Sequence, residues 1–315
     1  MATKITIIGA GSVGSTIAYT LSNEDIASEI VMIDVNKQKV AGEVMDIIQG
    51  ASFRDPISVI AGDYEDASDS DIVIITSGIA RKPGQTRIEL TQTNVDILKD
   101  ITPKIVSVAP NALYIIVSNP VDIMTYVFTK ISGLPERQVI GSGTLLDTGR
   151  LRYALSEYFD IAQRNIHAYV LGEHGDSSFV AWSLAKISGA SVDDYAKMMR
   201  CYGKEFDDLD KASMEDYVHK SGGKIIENKG ATFYAVSVSV CRLCSLLLSA
   251  HNSISTVSTM LHGEYGIEDV CLSIPNLVGP DGATGKVPVH LTDEEVEKLR
   301  HSAKVLKDVI AQISL

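Results

Sequence analysis

The chain has 315 residues, enough for about two domains of ~150 residues each or one large bilobed domain. Apolar residues make up 45% and charged residues 22% of it, a balance that excludes a disordered chain. Lys and Arg number 28 against 40 Asp and Glu, a net charge of −12; neither nucleic acid nor an anionic membrane is an expected partner, although a few arginines in a pocket suffice to hold a small anion.

MATK leads directly into ITIIGAG (5–11) without a signal-peptide core. No apolar run approaches the ~18 residues that span a bilayer, so a cytoplasmic location is expected. ITIIGAG, EIVMIDV (29–35), DIVIITSG (71–78) and LYIIVSNP (113–120) are short, β-branched and almost wholly apolar. Continuous hydrophobicity marks strands buried on both faces, as in a parallel sheet. Helical patterns lie between them, including SVGSTIAYTLSN (12–23) and a long segment from about Arg87 to Ser107. This βαβ alternation predicts an α/β fold built on a doubly wound, Rossmann-type parallel sheet, with ligands at the carboxyl ends of the strands.

From about Gly143 the pattern changes. GTLLDTGRLRYALSEYF reads as an amphipathic helix, and HAYVLGEHGDSSFVAWS mixes strand and loop. A long helical region is expected from roughly Lys224 to Ala250. A closing helix starts at Thr292 and Glu295, which have capping-box spacing. This half reads as an α+β lobe packed on the first, with the site between them. Cys201, Cys241, Cys244 and Cys271 are too few and too clustered for a disulfide scaffold. Cys241 and Cys244 sit in an apolar helical stretch, where plain structural thiols are expected, and no metal site is expected.

Gly9-Ala10-Gly11-Ser12-Val13-Gly14 is a G-x-G-x-x-G turn directly after a strand and opening a helix. Gly9 permits the tight turn, Gly11 lets a pyrophosphate approach the backbone, and Gly14 lets helix pack on strand. The helix N-terminus presents N–H groups to the phosphates. Asp34 follows at the end of the next strand, where a carboxylate accepts hydrogen bonds from an adenosine ribose. Asp34 has no neighbouring arginine, which favours NAD over NADP.

His174 lies in the polar loop Gly172-Glu173-His174-Gly175-Asp176 after an apolar strand. Hydride transfer to a carbonyl needs a proton donor at the oxygen, and histidine titrates near neutral pH. Such a histidine needs a carboxylate on its other ring nitrogen. Asp147, on an apolar helix where an unpaired charge is costly to bury, is the candidate. Arg150, three residues on, shares its face and has the fork geometry for a substrate carboxylate. Arg152 points roughly 200° round the helix from Arg150 at ~100° per residue, so it belongs either to the surface or to a second anion site. The segment Gly78-Ile79-Ala80-Arg81-Lys82-Pro83-Gly84-Gln85-Thr86-Arg87 is a cationic loop after a strand end, with the composition of a lid over an anionic substrate. Asn119 puts an amide at the same edge.

These segments together, GAGSVG, IDV, RKPGQTR, SNPVD, GSGTLLDTGRLR, GEHGD and NKGATFYA, resemble the NAD-dependent L-lactate/malate dehydrogenase family over essentially the full length. The resemblance implies an NAD-binding domain over 1–142 and an α+β catalytic domain over 143–315. It implies His174 as proton donor and acceptor paired with Asp147, Arg150 on the substrate carboxylate, and Arg87, on the mobile loop, polarising the carbonyl. Asn119 would contact the substrate oxygen. Gly9, Gly11, Val13, Gly14, Asp34 and Gly78 would hold NAD, with Ile79, Asn119, Lys39, Tyr64 and Ser142 as further cofactor contacts. A non-catalytic NAD-binding sensor on the same fold would lack the acid, its carboxylate or the substrate arginine, and this chain keeps all of them.

Within the family, Glu173, Thr232 and Ile88 resemble the lactate branch, with Thr232 among the substrate contacts. Arg81 stands where malate enzymes carry arginine and lactate enzymes usually carry glutamine; it would pair with the second carboxylate of oxaloacetate. The expectation is reversible NADH-linked reduction of pyruvate to L-lactate, with malate/oxaloacetate as the alternative. Arg152 and His167 match positions that bind fructose 1,6-bisphosphate in many bacterial members, so this effector is expected there. The family also implies a homotetramer, sometimes a dimer.

Overall fold

The structure is a computed structural model, and it describes residues 3–79, 84, 86–204 and 206–315. The first half alternates β1 (Lys4–Ile8), α1 (Ser12–Asn23), β2 (Glu29–Ile33), α2 (Lys37–Gln49), β3 (Ser58–Ala61), β4 (Ile72–Ile75), α3 (Arg87–Val108), β5 (Leu113–Ile116), α4 (Val121–Ser132) and β6 (Val139–Gly141). These six strands are parallel in the order β3-β2-β1-β4-β5-β6, the doubly wound arrangement in which the crevice lies where the order reverses beside β1. Alternate residues of each strand enter different cores. Ile5, Ile7, Ile30, Met32, Ile72 and Ile74 face α1 and α2. Ile8, Val31, Ile33, Val73 and Ile75 face α3 and α4. Burial on both faces is why these strands are apolar at nearly every position.

The second half begins with α5 (Leu145–Phe159), followed by the short strands β7 (Ile166–His167), β8 (Val170–Leu171), β9 (Phe179–Val180), β10 (Lys186–Ile187) and β11 (Ala190–Ser191). Helices α6 (Val192–Arg200), α7 (Lys211–Lys229) and α8 (Tyr234–Leu247) come next, then β12 (Ser253–His262), β13 (Glu268–Gly279), β14 (Gly282–Lys286) and α9 (Asp293–Ile310). The single helical region expected over 224–250 is two helices. Gly230 ends α7 at φ +86°, a left-handed conformation open to glycine, and α8 restarts four residues later. Thr292 caps α9 with Glu295 in a complete capping box.

No apolar run announces β12 and β13, yet they extend the parallel sheet. β12 pairs antiparallel with β6 through Ser258 and Gly141, giving nine strands in all. Their inward positions include Thr256, Ser258, Thr259, Ser273 and Asn276, all buried and hydrogen-bonded, as in Thr259 to Asn276 at 3.1 Å. Buried polar side chains with partners cost little but hide the strand from a hydrophobicity reading. The sheet therefore crosses the 142/143 boundary, and each of the two cores that flank it draws residues from both halves of the chain.

Candidate active site

The turn after β1 shows why it is glycine-rich. Gly9 has φ +110°. A Cβ at Gly14 would lie 1.9 Å from the Gly9 carbonyl oxygen, whereas nothing lies within 4 Å of one at Gly11. The turn thus closes tightly at Gly9 and Gly14 and stays open at Gly11, at the uncapped N-terminus of α1, where a pyrophosphate meets free N–H groups. Asp34 accepts from the Ala10 amide at 2.7 Å and the Asn36 amide at 2.8 Å, which ties the end of β2 to the turn. These residues fit a dinucleotide. Gly78 and Ile79 are held by Asn94, a buried residue of α3 that the sequence did not single out. Its Oδ1 accepts from the Ile79 amide at 2.9 Å, and its Nδ2 donates to the Asn119 carbonyl at 2.8 Å.

Other expected cofactor residues sit more loosely. Val13 lies half-buried on α1, and Ser142 donates its amide to the Ile116 carbonyl at the end of β5. Lys39 is exposed on α2. Tyr64 turns its half-buried ring toward α3, with Lys104 Nζ 5.9 Å from the ring centroid. Neither Lys39 nor Tyr64 touches the glycine turn among the described contacts.

Behind the crevice, α5 is bolted to β8. Thr144 Oγ1 donates to the Val170 carbonyl at 2.6 Å, and the Val170 amide donates to Thr148 Oγ1 at 3.0 Å. This docking brings Asp147 to the loop after β8. Its two carboxylate oxygens are divided: Oδ2 meets His174 Nδ1 at 2.6 Å and Oδ1 meets Arg150 Nη1 at 2.8 Å. Asp147 is buried. Burial pushes its carboxyl up, but His174 and Arg150 outweigh that and hold it below the ordinary carboxylate range. Burial alone would push His174 down, and the Asp147 charge and hydrogen bond reverse this and raise it above the ordinary imidazole value. Nδ1 is engaged by Asp147, so Nε2 is the ring nitrogen left for a substrate oxygen.

A further carboxylate lies beneath His174. Asp122, in the apolar helix α4, is buried, accepts from the His174 amide at 2.7 Å, and accepts from Ser258 Oγ at 2.6 Å. Burial pushes it up to about 6. Its signal was available: an acid inside VDIMTYVF, where only a partnered carboxylate is tolerated.

Arg87, expected on the mobile loop, is instead the first residue of α3, capped by Thr86 and Glu89. Its guanidinium is exposed and meets Asp176 Oδ2 at 3.1 Å, two residues beyond His174. Arg81 lies outside the described residues. Asn119 is exposed at the sheet edge, and Thr232 is half-buried in the break between α7 and α8. Arg152 is half-buried on the far side of α5 from the relay. Its Nε donates to the Ala168 carbonyl at 3.2 Å and its guanidinium lies 5.5 Å from the Tyr169 ring centroid. His167, one residue from Ala168, is exposed on β7.

A glycine turn that fits a dinucleotide at the switch point of a parallel sheet, together with a carboxylate–imidazole pair and its adjoining arginine, is the combination expected of an NAD-dependent 2-hydroxyacid dehydrogenase. Residues 3–141 match the lactate/malate dehydrogenase NAD binding domain, and residues 144–314 match the lactate/malate dehydrogenase alpha/beta C-terminal domain. The chain belongs to the lactate/malate dehydrogenase family. It is 50% identical over 313 residues to L-lactate dehydrogenase 1 of Clostridium acetobutylicum, covering 99% of this chain and 98% of that one. It is 45% identical over 312 residues to an L-lactate dehydrogenase of Thermoanaerobacterium saccharolyticum, covering 99% of each. A lactate dehydrogenase structure from a Medee basin deep-sea metagenome library superposes with a TM-score of 0.94 at 37% identity, covering 99% of each chain. The minor L-lactate dehydrogenase of Enterococcus mundtii gives 0.94 at 35% identity, covering 100% of this chain and 99% of that one.

Proposed function

We propose that the chain is an L-lactate dehydrogenase, reducing pyruvate to L-lactate with NADH and running the reverse reaction. The observation that carries this reading is the single carboxylate of Asp147 bonded to both His174 and Arg150. It couples the proton donor and the substrate-binding arginine in one rigid unit. NAD held at the Gly9–Gly14 turn and Asp34 would supply or accept the hydride. Arg150 takes the substrate carboxylate in a two-point fork. Protonated His174 hands its Nε2 proton to the carbonyl oxygen, and Asp147 holds the imidazolium by its Nδ1–H. Arg87 turns from Asp176 to polarise the carbonyl, and Asn119 and Thr232 complete the substrate contacts. The Arg87–Asp176 pair is no obstacle, since both side chains are about four-fifths exposed, at 79% and 83%, and such pairs contribute little.

The competing substrate is oxaloacetate, favoured by the charge of Arg81. Measuring kcat/KM for pyruvate and oxaloacetate on one preparation separates the two, and a clear preference for oxaloacetate overturns the lactate reading. Arg81→Gln is expected to lower oxaloacetate turnover and leave pyruvate reduction largely intact.

The same reading includes a homotetramer in the cytoplasm, with an NAD-binding domain over 1–142 and a catalytic domain over 143–315. The free thiols of Cys241, Cys244 and Cys271 suit a reducing compartment, and no described helix is long and apolar enough to cross a membrane. Fructose 1,6-bisphosphate is proposed to bind at Arg152 and His167. Activation by this ligand in the parent enzyme, lost in Arg152→Ala, tests the effector; identical pyruvate saturation with and without it refutes it.

A further inference from the structure

The loop that carries His174 is held by its own amides, each to a different element. The Gly172 amide donates to the Ser273 carbonyl of β13 at 2.9 Å, and the His174 amide donates to Asp122 of α4. Between them, the Glu173 amide donates to Ser302 Oγ of α9 at 2.7 Å. Ser302 is fully buried, on the helix that ends the chain and far in sequence from the loop.

The bonds around Ser302 form a closed circuit. Ser177 Oγ donates to the Glu173 carboxylate, and Ser177 Oγ and Ser302 Oγ lie 3.0 Å apart. An amide only donates and a carboxylate only accepts. The direction is therefore set throughout: Glu173 N–H to Ser302, Ser302 O–H to Ser177, Ser177 O–H back to Glu173. Hydrogen bonds running head to tail in this way polarise one another. The Glu173 side chain folds over Gly175 to reach Ser177: a Cβ at Gly175 would lie 2.7 Å from Glu173 Oε1. Gly175 has no positive φ, so the glycine serves to make space for that carboxylate.

We infer that Ser302, together with Glu173 and Ser177, is a positioning residue for His174, tying the proton-transfer loop to the C-terminal helix. The inference rests on the reading of His174 as the proton donor. It assigns Glu173 a task within the loop rather than at the substrate. Because the ring sets where the imidazole sits and makes no hydrogen bond to Arg150 or the glycine turn among the described residues, its loss is expected to lower kcat more than it raises KM.

The test uses pyruvate reduction at saturating NADH, NADH binding by fluorescence, and amide hydrogen exchange of the full chain. Ser302→Ala is expected to lower kcat about tenfold, the scale of a sub-ångström misplacement of a reacting group, with NADH affinity retained. Glu173→Gln keeps an acceptor for Ser177 and is expected to stay within about threefold of the parent, whereas Glu173→Leu falls about tenfold. Equal kcat for Ser302→Ala and the parent, or equal losses for Gln and Leu at 173, overturns the inference. Should Ser302→Ala fold poorly, Ser177→Ala breaks the ring without orphaning a buried amide, and parent-like kcat there is equally fatal. Protection of the Glu173 amide from exchange, lost in Ser302→Ala, is read without catalysis; a Glu173 amide that exchanges freely in the parent sinks the ring itself. A parent enzyme that reduces no 2-oxo acid while keeping this protection refutes the assigned activity instead.

Discussion

Replacing Asp147 by Asn tests the relay most directly. The carboxylate sits 2.6 Å from His174 Nδ1 in a buried setting, with charge centres about 4 Å apart. At an effective dielectric near 20 that attraction is about 4 kcal/mol. An amide keeps a dipole and loses the charge, so we expect about 3 kcal/mol of imidazolium stabilisation to disappear. At ~1.36 kcal/mol per tenfold, kcat for pyruvate reduction falls about 100-fold. The pH profile supplies the sign. His174 is raised in the parent, so pyruvate reduction persists below its pKa and fades as pH rises through it; lactate oxidation, which needs neutral imidazole, shows the opposite limb. In Asp147→Asn burial is left to act with less opposition, and the midpoint moves to lower pH. KM for pyruvate rises modestly as well, because Arg150 loses its partner at 2.8 Å. Steady-state kinetics over pH, with stopped-flow resolution of the chemical step, reads all three. A variant with an unshifted midpoint and kcat within threefold of the parent would refute the coupling.

Asp122→Ala orphans two donors, the part-buried His174 amide and the buried Ser258 hydroxyl. At ~1–3 kcal/mol each the expected loss is about 2–6 kcal/mol in denaturant unfolding, with kcat reduced too, and unchanged stability would show that neither donor depends on it. Gly14→Ala places a methyl 1.9 Å from the Gly9 carbonyl; NADH affinity by fluorescence titration should fall at least tenfold, roughly 1.4 kcal/mol, and normal binding would contradict the tight turn. Arg150→Lys keeps charge but loses the fork, so KM for pyruvate rises about tenfold or more while NADH binding holds; an unchanged KM would remove Arg150 from the substrate.

Much of this molecule is readable along the chain because its physics is local. Ile5, Ile7, Val31, Ile33 and their neighbours are apolar without alternation since both faces of a parallel strand are covered. G-x-G-x-x-G with Asp34 needs only one βαβ unit, and Asp147 and Arg150 share a helix face by periodicity alone. β12 and β13 escape such a reading because Thr256, Ser258 and Asn276 are buried with hydrogen-bond partners on α5, α4 and β12 respectively. The break at Gly230 is equally quiet, one glycine in an otherwise helical stretch.

Local patterns along the chain specify the class of sheet, the glycine turn and the residue types chemically able to transfer a proton and grip a carboxylate. How these groups are held comes from contacts between distant segments. Asp147 meets His174 from 27 residues away because Thr144 and Thr148 dock α5 on β8. Asn94 and Ser302 accept the main-chain amides of Ile79 and Glu173, contacts that no motif advertises. A hydrogen bond to a main-chain amide depends on where two distant segments pass, not on the identity of the residue that donates it, so the chain carries no local mark of it.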